Sequence, residues 1–571
     1  MVAGRRDPAD MFAPVRRIGL FLRGGSYAYQ DEIIGGVHQE CVARGINLYC
    51  LAGGNIAAPD PRNFVYALPA ARDLDAAIIA QGTLGADDGD PAVVAMLGRL
   101  RPMPILTIGA RESDVPCVTV DNSSGVRLLT RHLIEEHGRR RIAFVAGHGR
   151  EAERRFMGYS LGHRDCGLAF DARLLIQGDF QLASGQEAVR VLFDGGGGCD
   201  AIVAANDWMA LGAIEALAAR RLRVPEDVAV VGFDDIDEAR FATPPLTTVR
   251  QPPRQLGIEA VRAIVARAAG DPTVGDLVLH TVPQIRQSCG CFRGTGHTPP
   301  EPVARAAPHG IDMAVWATAV AASGPAPEDA LPGDWPLRLA TALRGDLDEG
   351  KGQRFLATLD AIVSNAAEVG NVSVWHQPVA ALRREAVRHL GQELSKLLLA
   401  DSLFERAHIL IGDHAERVQG RRRLEAETTY RALRDMGREV LGALDRAAIG
   451  RALAAHLANL RVAAAAVVVN AAGHPPAGED DAHLIVAWDH EHGLRTFETG
   501  FSFRAGQLAP EPFLPPRRHT LMIQPLCFNN EARGWCVFEM DTPRAIVCEE
   551  IPQQLSVALE AAALRERLRR K

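Results

Sequence analysis

The sequence predicts a doubly wound α/β fold with parallel strands over its first half, then a helical region and a small mixed α+β domain. Two observations carry the first half. Short apolar runs alternate with longer amphipathic segments from Arg17 onward, and the loops after those runs are rich in Asn, Asp and aromatics. One carries the second half: beyond a Pro/Ala/Gly-rich stretch, Leu, Ile and Phe recur at spacings of three and four.

The apolar runs are Arg17 to Leu22, Ile46 to Leu51, Ala76 to Ala80, Ile105 to Gly109 and Cys117 to Val120, followed by Ile142 to Ala146, Ala201 to Ala205 and Val228 to Gly232. Continuous apolarity of this kind suits strands covered on both faces. Helical patterns lie between them at Glu32 to Arg44, Pro91 to Arg99, Ser124 to His137, Ser184 to Phe193 and Trp208 to Ala219. Repeated strand–helix units imply right-handed crossovers. Ligands of such sheets sit beyond the carboxyl ends of the strands.

Composition bounds the class. A chain of 571 residues exceeds one hydrophobic core, so several units are expected. With 47% apolar and 23% charged residues it reads as an ordinary folded chain, and a net charge of -7 without a basic block argues against a phosphate-binding surface. Met1 to Arg17 lacks the apolar run of a secretory signal, and no stretch reaches the ~20 apolar residues that cross a bilayer. The 10 cysteines follow no framework spacing and read as reduced thiols. A cytoplasmic location without membrane contact is expected.

The loops after the runs supply candidate ligand contacts. Arg23, Ser26, Tyr27, Tyr29 and Gln30 follow the first run, and Gln81-Gly-Thr83 the third. Asn206-Asp207-Trp208 and Phe233-Asp234-Asp235 follow the last two. Rings, amides and carboxylates gathered at one crevice suit a small polyhydroxylated molecule. Asn and Asp at these positions also cap helices, so each has a plain structural role beside the functional one.

Ala204-Ala-Asn-Asp-Trp-Met-Ala-Leu-Gly-Ala213 and Val224-Pro-Glu-Asp-Val-Ala-Val-Val-Gly-Phe-Asp-Asp-Ile236 make the reading specific. Pro244 to Val249, Val120-Asp-Asn122, Arg155 to Tyr159 and Ser288-Cys-Gly-Cys291 join them in order. Together these residues resemble the effector-binding domain of LacI/GalR regulators over roughly residues 16–291. The resemblance implies a periplasmic-binding-protein-like fold of two α/β lobes joined by three crossing segments, with ligand in the cleft. It implies ligand contacts at Arg155, Asn206 and Asp234, with the Tyr29 region lining the first lobe and Asp121 and Asn122 supporting a crossover. Gln30 stands where the family usually carries an aromatic. Only Met1 to Arg16 precede the first strand, whereas the family's helix-turn-helix needs roughly fifty residues. Direct DNA binding is therefore not expected.

Other signals are weaker. Gly147-His-Gly-Arg-Glu-Ala152 fits a dinucleotide fingerprint but lacks a confident partner acid. Gly195 to Gly198 has no following Lys-Ser/Thr. Cys289-Gly-Cys291 has no second ligand pair nearby in sequence, and His483, His490 and His492 read as a solvated hairpin end. No cofactor, metal or catalytic residue is expected, and the chain is read as a non-enzyme.

In the second half, residues 292–335 read as linker and 336–444 as a helical bundle with a signalling helix, with helical patterning at Trp335 to Leu347, Gln353 to Val369, Val379 to Leu399 and Asp401 to Arg422. Ala426, Tyr430, Leu433, Gly437, Val440 and Leu444 fit either a short coiled-coil seam or an amphipathic helix. Five strand-like segments, Ala463 to Asn470, Leu484 to Trp488, Leu494 to Glu498, Thr520 to Phe528 and Gly534 to Met540, follow a helix and precede another. With Gln524-Pro-Leu526 and Gly534-Trp-Cys-Val-Phe538, residues 445–560 resemble a GAF-type domain; 1–15 and 561–571 are terminal segments. The reading is a sensor that binds a small-molecule effector, sugar-like first, forms a homodimer and passes lobe closure to a downstream signalling partner. A regulator acting on DNA through another module and a transport-type binding protein are the alternatives.

Overall fold

The structure, a computed structural model, describes residues 15–25, 28–68, 74–85, 89–112, 114–169, 171–195, 197–291, 313–323, 333–367, 372–390, 393–470, 481–504, 507–515, 517–540 and 545–570. It divides into two compact units, Met1–Gly296 with Ala432–Lys571, and His297–Arg431.

The first lobe is built from β1 (Arg17–Arg23), α1 (Ala28–Arg44), β2 (Asn47–Gly53), β3 (Ala76–Ile79), α2 (Pro91–Leu100), β4 (Ile105–Ile108) and β5 (Cys117–Val120). The chain then enters the second lobe through α3 (Ser124–Glu135), β6 (Ile142–Ala146), α4 (Gly149–Asp165), β7 (Leu175–Gln177), α5 (Leu182–Asp194), β8 (Ala201–Ala204), α6 (Asp207–Ala219), β9 (Ala229–Val231), α7 (Asp237–Phe241) and β10 (Thr248–Arg250). It returns as α8 (Pro253–Ala268), adds β11 (Leu277–Leu279) beside β5, and crosses again so that β12 (Val282–Gln284) pairs with β10. The three crossings lie after β5, after β10 and after β11, which gives the two-lobed, parallel-sheet architecture the resemblance implied.

Parallel pairing and full burial explain the apolar runs. β3, β4, β5 and β8 are buried at every residue. The second-lobe sheet runs β7-β6-β8-β9. Where α1 crosses α8, Gly36 permits backbone-level approach, since a Cβ there would lie 1.9 Å from the Arg254 carbonyl oxygen.

The C-terminal part of the same unit holds α14 (Arg446–Leu457), β13 (Val462–Asn470), β14 (Asp481–Asp489), β15 (Gly493–Arg504), β16 (Thr520–Phe528), β17 (Glu531–Met540) and α15 (Ala545–Arg570). Its antiparallel strands do not stand apart from the first lobe. β16 pairs in parallel with β2, Leu521 opposite Tyr49 and Met522 opposite Cys50, so one 11-stranded sheet runs β11-β5-β4-β3-β1-β2-β16-β17-β13-β14-β15. Side chains seal the seam: His38 Nδ1 lies 2.8 Å from Thr520 Oγ1, and His519 Nε2 3.1 Å from the Tyr49 hydroxyl. One core joins Ile18, Leu48 and Cys50 to Met522, Phe538 and Leu555. On the other face, Phe21, Leu51 and Tyr66 pack in one cluster with Val468, Ile523 and Trp535.

In the helical unit, α9 (Met313–Ser323), α10 (Trp335–Glu349), α11 (Arg354–Ala367), α12 (His376–Leu390) and the first part of α13 (Leu394–Gly442) enclose Trp316, Leu343, Phe355, Trp375 and Phe404. The 292–335 span is thus not all linker: α9 lies inside it and buries Trp316 and Val320 among its neighbours' apolar faces. The rest of that span, apart from residues 333–335, and the 1–14 tail lie outside the described residues. Of the two readings of the Ala426 to Leu444 pattern, the amphipathic helix is the one seen. Leu433, Met436 and Val440 are buried in the core shared with the first lobe, whereas Tyr430 and Leu444 are exposed.

Candidate ligand-binding cleft

Four loops and helix starts bring charged and aromatic groups together between the lobes. Arg155, on α4, is the hub. Its side chain is 4% exposed. Nε donates to Asn122 Oδ1 at 2.8 Å and Nη1 to the Ala205 carbonyl at 2.7 Å. Nη1 also lies 3.6 Å from Asp234 Oδ1, and Nη2 lies 3.8 Å from Glu151 Oε2. The guanidinium carbon sits 3.9 Å from the centre of the Phe233 ring and 6.0 Å from that of Phe180, geometry suited to cation–π attraction. A guanidinium has five N–H donors, and the two direct side-chain and carbonyl bonds use only part of that set.

Asp234 follows β9, where φ values of 126° at Asp234 and 62° at Asp235 turn the chain sharply. Gln251 Nε2 donates to Asp234 Oδ1 at 2.6 Å. Burial raises this carboxyl to about 6, with Arg155 pulling the other way. Asp235 faces elsewhere: it accepts from Arg250 at 2.6 Å and pairs with Arg286 and Arg240, and it anchors the turn.

From the first lobe, Tyr29 on α1 lies within range of this cluster's charges. Burial, reinforced by the nearby charges of Glu151 and Asp234, pushes its phenol above the ordinary value, and Arg155 opposes them. Glu151 crosses toward the first lobe as well. A methyl built on Gly109 would lie 3.4 Å from Glu151 Oε1, and one on Gly82 3.9 Å.

The other sequence candidates have structural partners. Asn206 caps α6, accepting from the Met209 amide at 3.0 Å, and donates to the Phe180 carbonyl at 2.9 Å. Asp207 is fully buried, accepting from Thr248 Oγ1 at 2.5 Å and from the Ile236 amide at 3.0 Å. Burial, then the Asp234 charge, raises its carboxyl above the usual range. Trp208 is half-buried in the first turn of α6. Gln30 is buried, and with its amide nitrogen turned toward them it donates to the Arg23 and Gly25 carbonyls at 3.1 Å each. Arg155 and Asp234 therefore face each other directly, Asn206 adjoins them through Ala205 and Phe180, and Asp207 and Gln30 support the walls. Ser26 and Tyr27 lie outside the described residues.

Sequence reasoning missed Glu151 and Phe180. Glu151 sits in the segment weighed as a dinucleotide fingerprint, and Phe180 follows β7, an edge strand with exposed side chains at both ends. Asp121 Oδ1 accepts from the Ser123 and Ser124 amides at 3.0 Å each, a crossover turn. His492 and the Glu491 amide both bond to Asp489, and His483 meets Ser502.

The arrangement offers fixed donors, fixed acceptors and ring faces in one cleft. That is recognition chemistry for a small polar molecule.

Residues 130–289 match the periplasmic binding protein-like domain family. The HTH-type transcriptional regulator CelR of Thermobifida fusca is 42% identical over 184 residues, 32% of this chain and 54% of that protein. The HTH-type transcriptional repressor PurR of Aliivibrio fischeri is 29% identical over 259 residues, 44% of this chain and 74% of that protein. The HTH-type transcriptional repressor CytR of Escherichia coli is 34% identical over 173 residues, 30% of this chain and 50% of that protein. The chain thus spans about half the length of CelR and CytR. Relatives carrying the name HTH-type do not support the expectation against DNA contact. Among the described residues no helix is long and apolar enough to cross a membrane. Over residues 130–289 the chain is thus similar to the periplasmic binding protein-like domain.

Proposed function

We propose that this chain is a ligand-responsive regulator that clamps a small polyhydroxylated metabolite between its lobes and passes closure to its C-terminal region. The convergence of Arg155, Asp234 and Glu151 in the second lobe, with Glu151 reaching Gly109 and Gly82 of the first, carries this reading. Arg155 supplies forked donors, Asp234 and Glu151 accept from hydroxyls, and Phe180 and Phe233 present ring faces to C–H surfaces. Asn206 and Trp208 complete the second-lobe wall. Closure changes the spacing of these groups, so a ligand that touches both lobes favours the closed state by its differential affinity.

The continuous sheet supports the route of transmission. The first lobe and the C-terminal strands share two cores, so they move as one body against the second lobe. The order helix, strands, helix supports a GAF-like reading of residues 445–560. An exposed stripe on α15, Val557, Leu564 and Leu568, supports assembly as a homodimer. We take the chain as a cytoplasmic binding protein without catalysis, working with a downstream signalling partner. The names of its relatives favour one second reading, a regulator of transcription acting on DNA.

A thermal-shift screen of monosaccharides, disaccharides, nucleosides and amino acids tests the proposal, since a ligand that binds only the folded state raises its melting temperature. A rise with a polyhydroxylated compound, absent in Asp234→Ala, supports it. A rise only with apolar compounds, or one retained in Asp234→Ala, refutes it.

A further inference from the structure

Spacing along the chain gave Cys289-Gly-Cys291 no second ligand pair; the fold supplies one from 152 or more residues away. His132 near the end of α3 and His137 just beyond it meet the closing segment of the second lobe. The ligand atoms of His132, His137, Cys289 and Cys291 all lie within 4.8 Å of one another. We propose that these side chains bind a structural zinc ion that staples the closing segment to α3.

The geometry fits. Zinc–nitrogen bonds of ~2.0 Å and zinc–sulfur bonds of ~2.3 Å give tetrahedral edges of about 3.3 to 3.8 Å. His132 Nε2 and His137 Nε2 are 3.1 Å apart, and Cys291 Sγ lies 3.5 Å from the first and 3.4 Å from the second. These three are tetrahedral edges in need of only small adjustment, and Cys289 Sγ, within 4.8 Å of the others, must close by about 1 Å to complete the set. The imidazoles cross at 81° with centres 4.8 Å apart, so both present Nε2 to one point.

The surroundings are built for this set. Gly290 adopts φ 120°, and a Cβ there would lie 2.8 Å from His137 Nδ1, so the glycine lets the ring lie against the loop between the two thiols. Thr247 Oγ1 donates to Cys289 Sγ at 3.2 Å while accepting from the Arg286 amide at 2.8 Å. That bond stabilises a thiolate and fixes its position, the part played by outer-shell groups at metal sites. Both cysteines are free and buried, at 0% and 5% exposure.

Charge and chemistry select the metal. Two thiolates, two neutral imidazoles and a divalent ion sum to zero charge, which suits a buried site. Binding releases the two thiol protons and oxidises nothing. A nitrogen–sulfur tetrahedral set favours zinc over calcium or magnesium, and four protein ligands leave no open position, so the role is structural. The ion would tie down the second lobe where its chain departs.

The test uses the full chain, expressed in zinc-supplemented medium and purified without chelator or metal-affinity resin. Mass spectrometry of metals should find stoichiometric zinc in the wild type and in Asp234→Ala, and little in His137→Ala or Cys291→Ser. Thr247→Val should fold and bind zinc about 10–100-fold more weakly. In the unmutated protein, a mercurial thiol reagent should release the zinc to a chromogenic chelator. Cobalt substitution should give tetrahedral d–d bands with a thiolate charge-transfer band that Cys289→Ser alters. Wild-type chain that stays metal-free after incubation with zinc chloride overturns the proposal. So do zinc retained in both ligand variants and a Cys289–Cys291 disulfide in freshly purified protein.

Discussion

Arg155 Nη1 lies 3.6 Å from Asp234 Oδ1, and this pair, its arginine buried and its aspartate largely so, joins α4 to the turn after β9. Its members have other partners too, so removing one leaves several groups unsatisfied. Arg155→Met strands the Asn122 side-chain oxygen and the Ala205 carbonyl and leaves the Asp234 carboxyl with its Gln251 donor but no cation. We expect a loss of about 3–5 kcal/mol, as for breaking a buried pair from one side. Urea unfolding should report it, and a change below about 1 kcal/mol would show that Arg155 is not structurally coupled.

The raised Asp234 carboxyl sets a pH dependence. Between the ordinary aspartate value and about 6, the folded chain holds a proton that the unfolded chain has lost. The stability contributed by this group is full below that window and is lost as pH rises through about 6. Ligand hydroxyls that donate to Asp234 prefer the ionised form, so affinity should rise across the same window and then level off. Titrations from pH ~5 to ~8 should show this rise, and Asp234→Asn should flatten it. A wild-type profile as flat as the variant's would place the ligand elsewhere.

Pairing of β2 with β16 makes the first lobe dependent on the C-terminal strands. A chain cut after residue 291 exposes the apolar faces of Leu48, Cys50 and Leu51 along an open sheet edge. We expect such a fragment to aggregate or to melt well below the full chain, as followed by light scattering and calorimetry. A soluble fragment melting at the full-chain temperature would mean that the seam contributes little.

The α1–α8 contact is a sharper point of fragility. Gly36→Ala would press a methyl into the Arg254 carbonyl and should cost about 1–3 kcal/mol, measured by denaturant unfolding. A neutral substitution would show that the helices separate freely.

Eight strands of the two lobes, β1 to β6, β8 and β9, were legible because parallel strands buried on both faces read as unbroken apolar runs, and Cys117 to Val120 and Ile142 to Ala146 match β5 and β6 residue for residue. The short β10, β11 and β12 were not, the last two being largely exposed. Asp234 and Asn206 were legible because they follow such runs. β7 was not, since its Leu175 and Gln177 are exposed, and with it went the Phe180 loop. The seam between Leu48 to Leu51 and Thr520 to Ile523 joins segments far apart in sequence, and pairing at that range leaves no local pattern. The same distance hid the approach of His132 and His137 to Cys291. α8 differs. Leu256, Ala260, Val261 and Ile264 recur at helical spacing, a signal the sequence carries.

Calorimetric titration of the wild type, Asp234→Ala and Leu564→Ser, using the best compound from the thermal-shift screen, decides whether Asp234 holds the ligand. We expect binding to the wild type and to Leu564→Ser, whose substitution lies on the exposed stripe of α15, with at least a tenfold loss in Asp234→Ala. Equal affinity in all three would contradict a cleft built around Arg155 and Asp234.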